Sequence, residues 1–234
     1  MRRLGDVVLS AAALILLFPL LVLIAIVIVL DSPGNPFYRA WRVGKNGKKF
    51  RMWKFRTMAT AGNAWQRGPG ITSRRDARIT RFGSILRRSK MDELPQFVNV
   101  LAGHMTLVGP RPEAPEFVAF YNSRQRAVLN VKPGVTGVVQ IASAEESDSI
   151  PEGVRPDEYY VENLMGPKLE MDLEYLERRT APSDAKIVAS TAGMVARVIW
   201  RMIFRDAADF TAPPAVVEVA TEGSGDENLD RRSV

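Results

Sequence analysis

Residues 7–30 read VVLSAAALILLFPLLVLIAIVIVL, without a single charge. A run of this length and apolarity is read as a membrane helix. It exceeds the apolar core of a secretory signal and lacks the small-residue exit that cleavage requires. Pro19 stands near its centre, where proline removes a backbone donor and bends a helix. Each arm, 7–18 and 20–30, is roughly 16–18 Å long at about 1.5 Å per residue. That is half of a hydrocarbon core of roughly 30 Å.

Charge adds a second constraint. Arg2 and Arg3 precede the run, and Arg39, Arg42, Lys45, Lys48, Lys49, Arg51, Lys54 and Arg56 follow it. The positive-inside tendency applies to both flanks, and one spanning helix cannot satisfy both. A helix that enters, bends at Pro19 and leaves on the same side does. A proline-kinked spanning helix is the alternative that the pattern also allows.

The net charge of +6 over 234 residues, with a pI near 9.8, favours an anionic partner: nucleic acid, an acidic membrane surface or a phosphorylated substrate. The chain has no cysteine, which excludes disulfides, zinc thiolates and thiol nucleophiles. His104 is its one histidine. A metal would therefore need oxygen ligands, as magnesium or manganese does. DNA binding would use the charge but leaves the apolar segment unexplained.

Downstream, DSPGNP (31–36) ends the apolar run with turn chemistry. Residues 37–58 mix aromatics and bases around GKNG, the turn of a predicted β-hairpin. Residues 59–75 read as a loop, and 77–89 as a helix with Ile79, Phe82 and Leu86 on one face. Pro95 falls in the first turn of a predicted short helix ending at Gly103. LVGPRPE (107–113) is a predicted loop, because each proline biases its predecessor away from the α region. VKPGVTGVVQI (131–141) reads as a turn into a strand, and 168–179 as helix. In 184–205, Lys186, Arg197, Arg201 and Arg205 share one sector, with Trp200 and aliphatic residues filling much of the rest. This pattern fits a helix in the membrane interface, or one packed on the protein core.

LRRSKMDELPQF (86–97) holds the candidate chemistry. Asp92 and Glu93 are adjacent, beneath Arg87, Arg88 and Lys90. Adjacent residues do not share a helix face, so this is no simple salt-bridged stripe. The pair suits magnesium binding completed by phosphate oxygens, or covalent catalysis by a carboxylate at phosphorus. General acid–base work fits less well, since it prefers carboxylates facing each other across a substrate. Lys54, Arg56, Arg74, Arg75, Arg78, Arg81 and Arg111 are enough bases to hold a diphosphate. The residues alone equally allow a plain helix cap, with Asp92 as the capping acid.

KFRTM (54–58), DARITRFGSILRRSKMDELPQFVNVLAGHMTLVGPRPE (76–113), KPGVTGVVQ (132–140) and MDLEYLE (171–177) occur in this order after the apolar segment. Together they resemble the bacterial sugar transferase family, the monotopic polyprenyl-phosphate phosphoglycosyl transferases, in its minimal catalytic form. The likeness runs from about residue 2 to about residue 205. It implies transfer of a sugar 1-phosphate from a nucleoside diphosphate sugar, usually a UDP-sugar, to polyprenyl phosphate, with release of UMP. It implies Asp92 as the nucleophile that forms a covalent phosphosugar intermediate, and Glu93 as its partner in holding Mg2+, with Mn2+ as an alternative. Lys54, Arg56, Arg78, Arg87 and Arg111, with Pro110 and Pro112, match its substrate-binding motifs, and Pro19 matches the bend of its re-entrant membrane helix. His104, Val139 and the stretch after Gln140 depart from its usual pattern.

The expectation is an α+β, membrane-associated chain: a re-entrant helix bent at Pro19 (1–30), a small, mostly helical catalytic domain with a β-hairpin (31–183), an amphipathic interfacial helix (184–210) and a disordered tail (211–234). The implied location is the bacterial inner membrane, with the catalytic domain on the cytoplasmic face. The implied partners are the nucleotide sugar, polyprenyl phosphate and membrane lipid. Nucleic acid is not among them, and a homo-oligomer is compatible. A rival from another class is a non-enzymatic basic monotopic scaffold that binds anionic lipid.

Overall fold

The computed structural model describes residues 2–59, 76, 78–142, 151 and 153–204. It mixes helix and strand, as expected. Helix α1 (Arg2–Asp31) runs uninterrupted through Pro19 and is, among the described residues, the one helix long and apolar enough to cross a membrane. Leu9, Ile15, Leu16, Phe18, Leu23, Ile26 and Leu30 are exposed along it. Water would penalise this surface at about 25 cal/mol per Å2.

Both ends of α1 are tied to the folded domain. At the start, Arg3 donates to the carbonyls of Val100 (2.6 Å) and Leu101 (3.0 Å), and Asp6 accepts from the Thr106 hydroxyl at 2.6 Å. At the end, Ile24 and Ile28 bury themselves with Phe55 and Leu86, and Phe82, Met91 and Leu94 pack around them.

The predicted hairpin forms: β1 (Phe37–Val43) pairs antiparallel with β2 (Lys49–Phe55) around a 3-10 turn at Lys45–Gly47. Asn46 takes the left-handed conformation (φ 57°), which asparagine tolerates well. Helix α2 (Arg81–Ser89) opens at Thr80, whose hydroxyl accepts from Gly83 N at 2.9 Å. A Cβ at Gly83 would lie 2.1 Å from the Thr57 carbonyl, so only glycine lets α2 sit this close to the end of the hairpin. After α3 (Gln96–Leu101), Gly103 turns the chain (φ +83°) into β3 (Thr106–Val108), which pairs in parallel with β4 (Gly134–Thr136).

The strand expected over 131–141 stops after Thr136. The chain turns at Gly137 into α5 (Val138–Ala142), because Gly137 packs against the Gly109 carbonyl, where a Cβ would come within 2.4 Å. Helix α4 (Pro115–Val118) and a 3-10 segment (Gln125–Asn130) lead on to α6 (Pro156–Tyr159), which continues through a π-helical turn (Tyr160–Leu164) into α7 (Met165–Glu177). Phe117, Val118, Tyr121, Tyr160, Leu169 and Leu173 form the main core beside Val43.

The final helix, α8 (Ala181–Phe204), begins close to the predicted start. Ile187 is buried and the Thr191 hydroxyl lies 2.6 Å from that of Thr136, yet its neighbours are largely exposed. Contacts divide the chain into two units, Met1–Ile199 and Trp200–Val234, and the described part of the second ends α8 with Trp200 against Phe204. The loop expected at 59–75, beyond its first residue, and the tail expected at 211–234 lie outside the described residues.

Candidate active site

Asp92 and Glu93 sit between α2 and α3 in a short 3-10 turn (Met91–Glu93). Lys90 ends α2 in the left-handed conformation (φ 59°), which reverses the chain and turns both acids inward. Neither acid caps a helix: the cap position of α3 is Pro95, and no side chain bonds there. The helix-cap reading of Asp92 therefore fails. Leu86 and Met91 anchor the turn against α1 and Phe55.

Lys54, near the end of β2, places its ammonium 2.7 Å from Glu93 Oε1 and 3.9 Å from Asp92 Oδ2. Arg111 reaches the same Glu93 oxygen at 3.1 Å from the other side. Glu93 is thus clamped by two cations while Asp92, 8% exposed, keeps looser company. Their acidities diverge accordingly. Burial works to raise both carboxyls. For Glu93, Lys54 and Arg111 overcome it and hold the group well below the usual carboxylate range. For Asp92, burial and the neighbouring Glu93 charge prevail over Lys54, Arg87 and Lys90, and its carboxyl is pushed up. Burial also lowers Lys90, which faces Arg111 as well as both acids.

Arg111 is presented by a loop stapled to β4. Gly109 N donates to the Thr136 carbonyl (3.0 Å) and Gly134 N to the Pro110 carbonyl (2.9 Å). A Cβ on Gly134 would lie 2.2 Å from Gly109 N, so the approach requires glycine. Pro110 and Pro112, on either side of Arg111, are buried and fix the loop. Behind it, Asp172 of α7 accepts from the Arg111 backbone N–H, and burial pushes its carboxyl up to about 7. The Glu113 carboxylate accepts from the Tyr160 hydroxyl, and its carbonyl accepts from Val43 N at 2.9 Å.

The other predicted residues divide. The Arg87 Nε donates to the Thr57 hydroxyl at 2.8 Å, and its charge acts on Asp92. Arg78 is held by Asp76, with Nε 2.9 Å from Oδ1. Arg56 is placed elsewhere: 8% exposed, it donates to the carbonyls of Ile28, Ser32 and Pro33 and closes the C-terminal end of α1. Asn99 secures the open edge of β2, accepting from Trp53 N and donating to the Arg51 carbonyl, both at 2.8 Å. His104 stacks on Phe50 at 5.7 Å.

Sequence reading assigned no role to Asp172, Glu113 or Tyr160. For Asp172 a signal existed. Met165, Leu169, Asp172 and Leu173 follow the spacing of one buried helix face. An acid within such a face is the informative exception.

Among the described residues no three acids or histidines cluster as a metal cage. The Asp92–Glu93 pair fits instead the habit of Mg2+, which takes one or two carboxylates and fills its shell with water and phosphate oxygens. An apolar groove of about 590 Å3 opens between α1 and the β1–β2 hairpin. Its lining includes Phe18, Leu21 and Ala25 of α1 with Trp53 and Phe55, the neighbours of Lys54 in β2, and Pro95, two residues after Glu93.

The sequence model described as bacterial sugar transferase matches residues 1–198. The UDP-glucose:undecaprenyl-phosphate glucose-1-phosphate transferase of Escherichia coli (strain K12) is 37% identical over 82% of the chain. A protein of the same name from Caulobacter vibrioides is 38% identical over 81%. The UDP-N-acetylgalactosamine-undecaprenyl-phosphate N-acetylgalactosaminephosphotransferase of Aeromonas hydrophila is 37% identical over 70%. The matched region spans 39% of the Escherichia coli and Aeromonas hydrophila proteins and 67% of the Caulobacter vibrioides one.

Proposed function

The chain belongs to the bacterial sugar transferase family, and from that premise we propose that it transfers a sugar 1-phosphate from a UDP-sugar to polyprenyl phosphate. The observation that carries this reading is the unequal treatment of the two acids. Glu93 is neutralised by Lys54 and Arg111, whereas Asp92 is buried beside it with a raised carboxyl. A buried carboxylate with weak pairing is poorly solvated and so a better nucleophile than a salt-bridged one.

In this reading an Asp92 oxygen attacks the sugar-bearing phosphorus. The new O–P bond forms as the bond from that phosphorus to the UMP oxygen breaks, and UMP leaves with the electron pair. A polyprenyl phosphate oxygen then attacks the same phosphorus, and the Asp92 carboxylate departs unchanged. Lys54 and Arg111, already facing the dyad, orient the diphosphate and offset its charge. Arg87 and Lys90 act on Asp92 from the α2 side. Asp92 and Glu93 would hold a magnesium ion, which would supply further charge neutralisation.

The membrane geometry supports the same reading. A straight helix would separate Arg3 from Ile28 by roughly 37 Å. Yet Arg3 bonds to the end of α3, and Ile28 packs in a cluster with Leu94, one short helix away. This supports a re-entrant α1 bent at Pro19 with both ends on one side of the membrane, and the basic residues on both flanks favour the cytoplasmic face. The groove between α1 and the hairpin is apolar and includes Pro95, two residues from Glu93, which suits an isoprenoid chain whose phosphate must reach Asp92. A lipid-binding scaffold without catalysis accounts for the clamped Glu93 but leaves the buried, weakly paired Asp92 unexplained.

The test is UMP release from a panel of UDP-sugars, with magnesium and a short polyprenyl phosphate. UMP is expected with at least one sugar. Release of UDP, or silence across the panel from folded protein, contradicts the reading.

A further inference from the structure

The β1–β2 hairpin has an outer face unlike ordinary solvent-facing sheet. Its inner face buries Ala40, Phe50 and Met52, the last two packed with Val100 and Met105. Strand alternation puts Phe37, Arg39 and Trp41 of β1 on the other side, with Lys49, Arg51 and Trp53 of β2. Arg39 faces Trp53 across the strands, its guanidinium 5.0 Å from the ring centroid; Arg51 faces Trp41 at 4.6 Å. Trp41 is 50% exposed, and Arg39, Lys49 and Arg51 are exposed with it. No acid occurs between Asp31 and Asp76, and the tip adds exposed Lys45 and Lys48.

This surface continues into that of α1. Phe37 stacks on Phe55 at 5.3 Å and meets Trp53 edge-on at 5.7 Å, and all three line the apolar groove with α1. Tryptophan, with an apolar ring and a polar N–H, and arginine, with an apolar stem and a charged head, suit the headgroup layer of a bilayer. On a solvated face such pairs are worth only about 0.5–1 kcal/mol each and leave the continuity with α1 unexplained, as does an acidic protein partner.

We propose that the outer face of the β1–β2 hairpin lies against the headgroups of an anionic bilayer, extending the membrane contact of α1 along Phe37, Arg39, Trp41, Arg51 and Trp53. The proposal rests on α1 being membrane-embedded. It adds a second point of attachment that restrains the tilt of Lys54, on the same strand, relative to the bilayer.

The absence of cysteine makes the test direct. Nitroxide labels are attached singly at Lys49→Cys, on the hairpin face, and Phe18→Cys, on α1, in the full chain reconstituted into phosphatidylethanolamine–phosphatidylglycerol vesicles. Their depth is read from accessibility to oxygen and to a water-soluble nickel chelate. Expected are Phe18 deep in the acyl region and Lys49 at headgroup depth. In Arg39→Gln/Arg51→Gln the Lys49 label should shift toward water, by about fivefold in the docking equilibrium per arginine, with Phe18 unmoved. A deep Phe18 with Lys49 in water, or shielded from both reagents, overturns the proposal and leaves the membrane reading intact. Phe18 in water overturns both.

Discussion

Lys54 lies 2.7 Å from Glu93 Oε1, and the same ammonium is 3.9 Å from Asp92. That difference of about an ångström separates two adjacent acids into a paired one and an under-paired one. Opposite stability effects follow. Asp92→Asn removes a charge whose burial is unfavourable, so it is expected to leave the melting temperature unchanged or raise it. Glu93→Gln strands Lys54 and Arg111, and should cost about 1–3 kcal/mol at neutral pH. Thermal unfolding of the two variants side by side reads the sign.

The acid limb of activity should follow Asp92. Its carboxyl is raised, chiefly by burial, so the nucleophilic form is lost as pH falls at values above the ordinary aspartate range near 3.9. Lys54→Met removes the largest influence opposing that rise and should move the limb further up. A limb unmoved by Lys54→Met would assign it to another group.

Asp172 gives a separate pH signature. Its folded-state value near 7 lies above the unfolded one, so its contribution to stability is complete below about pH 4 and is lost as pH rises to about 7. The loss is at most about 4 kcal/mol, because each tenfold change in acidity is worth about 1.4 kcal/mol. Asp172→Asn keeps an acceptor for the Arg111 N–H and removes the titration. Denaturant unfolding across this range should show the wild type weakening relative to the variant. Parallel curves would place the titration elsewhere.

Lys54 and Arg56, two residues apart in one motif, should behave differently. Arg56 closes the end of α1, so Arg56→Met is expected to lower thermal stability together with activity. Lys54→Met should lose activity at least about a hundredfold, the low end for removing one charge-stabilising donor, which costs about 2.7–4 kcal/mol elsewhere. Its fold should stay intact by circular dichroism.

These contrasts also separate what local pattern could reveal from what it could not. The apolar run, the hairpin around GKNG and the paired acids are local, and each was legible from a few neighbouring residues. Arg56 looked like one more phosphate-binding base because its partners, the carbonyls of Ile28, Ser32 and Pro33, lie more than twenty residues upstream. The strand expected through Val138 and Val139 ends early, since β-branched propensity yields to the contact of Gly137 with Gly109. Tyr160 and Glu113 meet across 47 positions, which no periodicity reports.

The most direct measurement is peptide mass spectrometry of the chain after incubation with the UDP-sugar that releases UMP, without acceptor lipid. The peptide carrying Asp92 should gain the mass of one sugar phosphate while UMP appears in equal amount. The adduct should discharge when polyprenyl phosphate is added and be absent in Asp92→Asn. An unmodified Asp92 peptide, with UMP formed only when both substrates are present, would contradict a nucleophilic Asp92.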